Sequence, residues 1–489
     1  MTLPRGWEKA RLGELLAVVS GFAFKSDEYQ DQGHFLIRIG NVQDGEINLN
    51  NPKFVSLSAA TRRFELSAGD ILTSLTGNIG RVARIDDSHL PAALNQRVAK
   101  LQPVAALSDA GYLYRFLSSA AFRDRLSSQG QGAAQQNVSP KVIEQIAVPL
   151  PPLAEQRRIL AKLDVLTPRL ARARAELERV LVLAERSHLT ILRSAVMGAL
   201  TADWRATAEI ERVSELLRRV PAPQQGRGGR EATDKIIPGT AALSVNDPGT
   251  TLPGGWEWVP LLRVAKQETG HTPSRSHPNY WDGRIPWIGI RDAGAHHGHV
   301  IQKTVQTISA EGLANSSARL LPEGTVCLSR TASVGYITIM GQPMATSQDF
   351  ATWTCTEALI PEYLMYALMA EGDDIRNFGM GSTHTTIYFP EVRAFHIALP
   401  PVTEQREIVA RIESALTRAD RLEAEAARAR ALLDRLESAI LAKAFRGELV
   451  PQDPNDEPAS VLLDRIRAQR AAAPKPKRSK VRPQPEPAA

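Results

Sequence analysis

Two stretches of this chain repeat apolar or small residues at intervals of three and four. The first runs Leu163, Leu166, Leu170, Ala173, Leu177, Val180, Ala184, Ile191. The second runs Ile412, Ala415, Ala419, Leu422, Ala426, Ala429, Leu433, Leu436, Ile440. That spacing predicts a long helix in each case, with a narrow apolar seam about four heptads long. Both runs begin at a Pro-Pro pair, 151–152 and 400–401, where missing backbone donors cost nothing. Glu155 falls in the first turn, where the helix dipole favours it. Pro168 is the interior breaker of the first run and is expected to kink or interrupt it. A helix of about 45 residues spans ~67 Å. The remaining faces are rich in Arg and Glu, as solvated helix faces are. So narrow a seam needs a partner helix. The other run in the same chain, lying antiparallel, is the expected partner; a coiled coil between two chains is the alternative.

Ahead of each long helix the pattern changes to short apolar runs between Gly and Asp turns. Strands are predicted at 35–42, 69–77 and 81–85, with counterparts at 285–290, 324–331 and 336–340. Amphipathic helices are predicted at 109–126 and 361–378. A closing strand, "IAVPLP" or "HIALP", leads into each long helix. The expected fold class is α+β. Two globular mixed α/β domains, 1–150 and 251–399, are joined by two long antiparallel helices, 151–200 and 400–449, that form a coiled-coil spacer in a pseudo-two-fold repeat. Residues 201–250, rich in Pro, Gly and polar groups over 218–250, read as a flexible linker. A short helical region is expected at 450–470. The basic tail 471–489 reads as disordered.

The repeat is explicit in the residues. "LPRGW" at 3–7 returns as "LPGGW" at 252–256, and "LPPLAEQRRI" at 150–159 returns as "LPPVTEQREI" at 399–408, both at an offset of 249. Residues 151–200 align with 400–449 without a gap, with 19 identities. Inside the globular parts the register drifts: "TSLTGNIGRV" (73–82) matches "LSRTASVGYI" (328–337) at 255. It returns to 249 at "GQG" (130–132) and "GMG" (379–381). Each unit therefore has a variable part and a fixed part. Two copies doing one job on different targets would show this, and so would drift after duplication.

Composition narrows the function classes. The chain has 489 residues, 43% of them hydrophobic and 23% charged, enough for real cores. No apolar run approaches the ~18 residues of a membrane span. The charged N-terminal stretch does not resemble a secretory signal. Two cysteines, Cys327 and Cys355, are too few for a disulfide framework or a structural zinc site, so a reducing cytoplasm is expected. A net charge of +6 permits nucleic-acid binding without demanding it.

The repeated set "LPxGW", "GDIL…G" and "PLPPxxEQRRI", with the helix exits "AVMGALTADWR" (195–205) and "AFRGELVPQDPNDEPASVLLDRIR" (444–467), resembles the specificity (S) subunit of Type I restriction-modification systems. The match extends over nearly the whole chain apart from the linker and tail. Each motif is weak alone; the complete set, twice and in order, is specific. The resemblance implies a noncatalytic subunit whose two globular parts are target recognition domains, each reading one half of a bipartite site on double-stranded DNA. It implies docking of two modification (M) subunits, which use S-adenosylmethionine to methylate adenine. It also implies two restriction (R) subunits, which use ATP and Mg to translocate and cleave. No cofactor or metal is expected on this chain.

The absent chemistry agrees. The sequence holds no G-x-x-x-x-G-K-[ST] loop and no Asn/Asp-Pro-Pro-Tyr/Phe motif; "HPNYW" (277–281) has Pro and Asn in the wrong order. The cluster "HHGH" (296–299) reads as a surface loop. Base and phosphate contacts call for Arg, Lys, amide and hydroxyl groups on loops of a rigid scaffold. The DNA-binding candidates are Lys25, Thr76, Asn78, Arg81, Gln131, Gln135, Gln136 and Asn137 in the first domain. In the second they are Thr272, Ser274, Arg275, Tyr280, Arg330, Ser333, Ser382, Thr383, His384 and Thr385. Glu155, Gln156 and Arg157, with Glu404, Gln405 and Arg406, are candidates for docking M subunits; ordering the start of the helix is the equal alternative. A coiled-coil scaffold that does not read DNA, or an enzyme with its own centre, are the competing classes.

Overall fold

The computed structural model describes residues 3–103, 109–128, 137–209, 211–226, 230–331, 333–379 and 385–472. The chain divides into two compact units, residues 1–176 with 428–489 and residues 177–427. Two long helices, Leu153–Val196 and Val402–Ala444, contribute to both.

The first unit is built on an antiparallel sheet in the order Leu16–Ser20, Val98–Pro103, Ile71–Ser74, Val82–Arg84. A second sheet pairs His34–Ile37 in parallel with Ala92–Leu94, flanked by Phe54–Val55 and Glu65–Leu66. The strand Glu8–Arg11 pairs with the closing strand Ala147–Leu150. The first sheet and the helices beside it close on a core that holds Trp7, Leu15, Tyr112, Phe116 and Phe122, while the second sheet packs about Phe35, Ile37, Phe64 and Leu94. The chain's C-terminal part completes the first of these cores. Phe445 meets Tyr112 and Phe116 edge-on, and Leu462, Leu463 and Ile466 of the helix Ala459–Ala472 are buried beside them.

The second unit repeats the plan. Its main sheet runs Ala265–Thr269, Phe350–Cys355, Val326–Ser329, Ile337–Met340, Val300–Ile301. The opening and closing strands pair again, Glu257 opposite Leu399 just as Glu8 lies opposite Leu150. Here that sheet has four strands, because Leu243–Val245 adds to the closing strand and Ile237–Pro238 adds to it in turn. The expectation of a flexible linker over 201–250 is corrected by this segment. The run Ala241–Val245 is buried, and Val213 and Leu216 of the helix Val213–Arg219 are buried too. The buried Glu371 carboxylate clamps the turn before that strand. It accepts from Thr240 N at 2.7 Å, Ala241 N at 3.1 Å and Leu243 N at 3.2 Å. So short a buried run suffices when a sheet edge supplies backbone partners; local composition does not reveal that edge.

Two predicted helices are each divided. Residues 109–126 form Ala110–Leu117 and Ala120–Ser127, broken where Ser119 turns to cap Phe122 N. Residues 361–378 form Pro361–Ala370 and a 3-10 stretch from Gly372, whose φ is +59°. Pro168, in contrast, does not interrupt its helix. It lies on the exposed face, where a carbonyl left without its helical donor is open to solvent rather than buried.

The seam lies within the chain and the helices run antiparallel. In the first unit Arg174 Nη2 reaches Asp434 Oδ1 at 2.6 Å and Glu437 Oε2 at 2.9 Å. In the second, His188 Nε2 lies 3.0 Å from Asp420 Oδ1. Leu163, Ala184, Ile412, Ala419 and Ala426 are buried. Val180, Leu422 and Leu436 are exposed and fall off the seam. A 3.5-residue repeat drifts against a 3.6-residue helix, so not every periodic position stays in contact.

Candidate nucleic-acid interface

In each unit a hairpin of the main sheet ends in the same turn. Ser74 and Ser329 close the incoming strands. Each serine Oγ donates to the carbonyl four residues on, Asn78 or Ser333, at 2.5 Å. Each accepts a backbone N–H from Arg81 at 3.1 Å or Tyr336 at 2.9 Å. Gly80 and Gly335 donate to the serine carbonyls at 3.1 Å, with φ of +80° and +109°, which favours a residue without a β-carbon. Two further strands of chain brace each turn. Leu75 N donates to Arg97 O and Arg330 N to Asp349 O, while Val138 N donates to Leu75 O and Ile387 N to Arg330 O. Val138 and Ile387 directly follow the Gly-flanked segments "GQGAAQQN" (130–137) and "GMGSTHTT" (379–386), most of which lie outside the described residues.

One backbone thus presents two different side-chain sets. Thr76, Asn78 and Arg81 stand where the second unit has Thr331, Ser333 and Tyr336; Leu75 stands where the second unit has Arg330. Asn78 is exposed, and Asn137 is exposed and bridges to Thr76. Arg81 pairs with Gln43. Arg330 donates to Gln348 O at 3.1 Å and lies 4.3 Å over the Phe389 ring. Burial moves its guanidinium below its usual pKa, and Asp349 opposes that shift. Thr272 joins this cluster through Gln348, at 2.6 Å. Thr385 is half-buried at the loop's far end.

The remaining candidates lie apart. Lys25 sits exposed before a short 3-10 turn, its backbone N–H given to Glu28. Ser274, Arg275 and Tyr280 lead into the strand Trp281–Ile288, with Arg275 4.5 Å over Trp281 and Tyr280 stacked on His277 at 4.8 Å. Gln131, Gln135, Gln136, Ser382, Thr383 and His384 lie outside the described residues. Sequence reasoning missed Arg230, Arg319 and Arg393, which line a cleft of about 610 Å³ with Arg330, Tyr388 and Phe389. These residues are far apart along the chain, and no local pattern joins them.

The histidine cluster is partly built in. His297 Nδ1 accepts Ile337 N at 3.1 Å, and burial lowers the pKa of the ring, with His299 adding to the effect. Among the described residues no cluster of metal-ligating side chains occurs.

The docking candidates separate by burial. Glu155, Gln156, Glu404 and Gln405 are at most 1% exposed, whereas Arg157 and Arg406 are exposed. Trp7 Nε1 donates to Glu155 Oε2 at 2.9 Å, and Trp256 Nε1 to Glu404 Oε2 at 2.8 Å. Gln156 bridges Pro151 O and Asp109 N; Gln405 bridges Pro400 O and Ile360 N. The Glu-Gln pair therefore ties the start of the long helix to the first tryptophan and to the preceding helix of the same unit. For Gln156, Glu404 and Gln405 this geometry favours the second of the two expectations, ordering of the helix start, since their polar groups are buried and bonded within the unit.

The family model for the Type I restriction modification DNA specificity domain matches twice, at residues 4–179 and 253–428. The chain is 26% identical to the Type I restriction enzyme EcoKI specificity subunit of Escherichia coli K12, over 96% of this chain and 97% of that one. Its fold is shared with a chain solved in work on complex assembly and conformational transition of the type I R-M system (TM-score 0.65, 21% identity, 92% and 100% of the two chains). It is also shared with the HsdS subunit of Thermoanaerobacter tengcongensis (TM-score 0.55, 21% identity, 92% and 99%). Duplicated turns, helix starts built alike, and a family match over both copies agree: this chain belongs to the Type I restriction-modification specificity subunits, the noncatalytic part that carries the DNA recognition domains.

Proposed function

We propose that the chain reads a bipartite site on double-stranded DNA and directs adenine methylation and cleavage by M and R partners, two of each. The observation that carries this reading is the turn at Ser74 and Ser329, one backbone holding different polar groups. A conserved scaffold with altered edge donors is how direct readout changes its target. Contacts would involve the clusters around Thr76, Asn78, Arg81 and Asn137, and around Thr272, Arg330, Ser333 and Thr385. Phosphate contacts would make binding salt-dependent. The long helices would act as a spacer that holds two weak contacts at one separation and so raises their joint affinity. S-adenosylmethionine, ATP and Mg would belong to the partners, and the complex would work in the cytoplasm. Among the described residues no helix is long and apolar enough to cross a membrane.

The test is the host's adenine methylation pattern. Inserting a few residues within 170–190 should change the spacing between half-sites and leave both half-sites intact. Exchanging residues 1–150 for a homologous domain should change one half-site only. Altered half-site bases after the insertion would overturn the spacer role. No sequence-specific binding across a random-site library, with M present, would overturn the DNA-reading function.

A further inference from the structure

The starts of the two long helices differ in one respect that the repeat does not predict. In the second unit both oxygens of Glu404 are taken. Oε2 accepts Trp256, and Oε1 accepts Thr201 Oγ1 at 2.8 Å and Arg205 Nε at 2.9 Å, with Arg205 Nη2 at 2.7 Å. Arg205 also lies 5.5 Å over the Trp256 ring. In the first unit Trp7 takes Glu155 Oε2 in the same way, but Oε1 has no partner and the residue is 1% exposed. At the 249 offset, Val450 and Pro454 stand where Thr201 and Arg205 stand. Neither carries a donor side chain.

Glu155 lies in a cleft of about 530 Å³ lined by Arg5, Trp7, Gln452, Asp453, Pro454 and Asp456 among others. Arg158, the neighbouring cation, is held by Asp456 through two bonds of 2.5 and 3.2 Å. Arg5 is exposed at the cleft's edge. A buried carboxylate oxygen without a donor is costly, and its duplicate shows which chemistry satisfies it. We propose that the Glu155 cleft is a socket for a guanidinium group, supplied by an arginine side chain of a protein partner. The planar fork of a guanidinium suits a carboxylate beside an indole face, as Arg205 demonstrates in the other copy. The acidic lining from Glu155 and Asp453 favours a cation. The incoming group has to part the side chains that now cover Oε1. The identity of the partner as an M subunit rests on the function proposed above; the guanidinium chemistry does not.

The experiment is a titration of the full chain with N-acetylarginine amide, followed by calorimetry, with N-acetylcitrulline amide as the neutral isostere. Saturable binding is expected for the arginine probe, weakened at least tenfold by Glu155→Gln and at least tenfold for citrulline. Arg5→Ala should leave the affinity unchanged. Equal binding by Glu155→Gln, no saturable binding, or a tenfold gain on Arg5→Ala would each overturn the socket, the last by making Arg5 its resident. In the second arm, M-subunit binding is compared between the parent chain and Glu155→Gln, and a tenfold loss is expected. Equal binding would overturn M as the source of the arginine and leave the DNA-reading function standing. If M binds neither chain, the reading of M as partner fails, and the probe titration still decides the socket.

Discussion

The start of the first long helix and the start of the second share an inner half and differ in an outer one. Inside, both keep a tryptophan on the glutamate, a glutamine across the Pro-Pro turn, and a buried tyrosine hydroxyl on a strand carbonyl, Tyr112 on Pro149 O and Tyr363 on Ala398 O, each at 2.7 Å. Outside, each receives the segment that follows the other long helix. In the second unit that segment is the short helix Ala202–Arg205, which brings Thr201 and Arg205 to the carboxylate. In the first unit it is an irregular stretch at 450–458, whose acid Asp456 goes to Arg158 instead. Duplication kept the contacts that fold each unit by itself. The contact made by the returning segment was free to change, because a different ion pair can hold that segment.

The largest expected effect comes from making the second helix start resemble the first. Arg205→Ala leaves Glu404 fully buried with Trp256 and Thr201 only. Breaking a buried pair from one side costs about 3–5 kcal/mol, so chemical denaturation should show a loss of that order. A loss below about 1 kcal/mol would mean that Glu404 tolerates the unpaired state as Glu155 does, and that both helix starts are energetically alike. The tryptophans come next. Trp7→Phe removes the hydrogen-bond donor held by Glu155, whereas Trp256→Phe leaves Glu404 its arginine and threonine. A hydrogen bond to a charged group contributes about 1.5–3 kcal/mol, so Trp7→Phe should sit near the upper end and Trp256→Phe near the lower. The difference should depend on pH. Burial, the main cause, raises the Glu155 pKa above the usual 4.5. Its contribution to stability is therefore fully present below that usual value and is lost as pH rises through the folded-state value. The Trp7→Phe penalty should grow from acid toward neutral pH, as a series of denaturant melts would show.

The same contrast marks what could be read from the chain. Pro-Pro, the seam and the 249 offset point to both long helices and to the closing strands that lead into them, because those features are local or repeat in register; the opening strands that pair with them come from the fold. The role of Glu-Gln-Arg stays open in the sequence, between helix start and partner contact, and only the fold divides it. Glu155 and Gln156 turn inward because Trp7 and Asp109, 148 and 47 residues away, come to meet them. Arg157 stays outside. The Ser74 turn is visible as "TSLTGNIGRV", and Thr76, Asn78 and Arg81 do lie on that one turn. Arg230, Arg319 and Arg393 are not visible, since tertiary folding alone gathers them beside Arg330. The strands at 237–245 escape notice for a related reason: a short apolar run reads as linker until a sheet edge is known to await it.

The smallest expected effect tests whether the two returning segments are held with equal strength. Asp456 is 9% exposed at its side chain and takes both Arg158 nitrogens; Asp203, the acid that meets Arg411 at 2.6 Å, is 74% exposed. Arg411 holds the Asp203 carboxyl below the usual range, yet water screens that pair. Asp456→Asn should cost about 1–2 kcal/mol, discounted because the Arg158 side chain is itself a third exposed. Asp203→Asn should leave the melting midpoint unchanged, since Arg411 retains Leu200 O at 2.7 Å and Glu407 at 2.6 Å. Equal losses in the two variants would show that solvent exposure does not set the difference, and that the first unit gains nothing from replacing the Arg205 contact with an ion pair at Asp456.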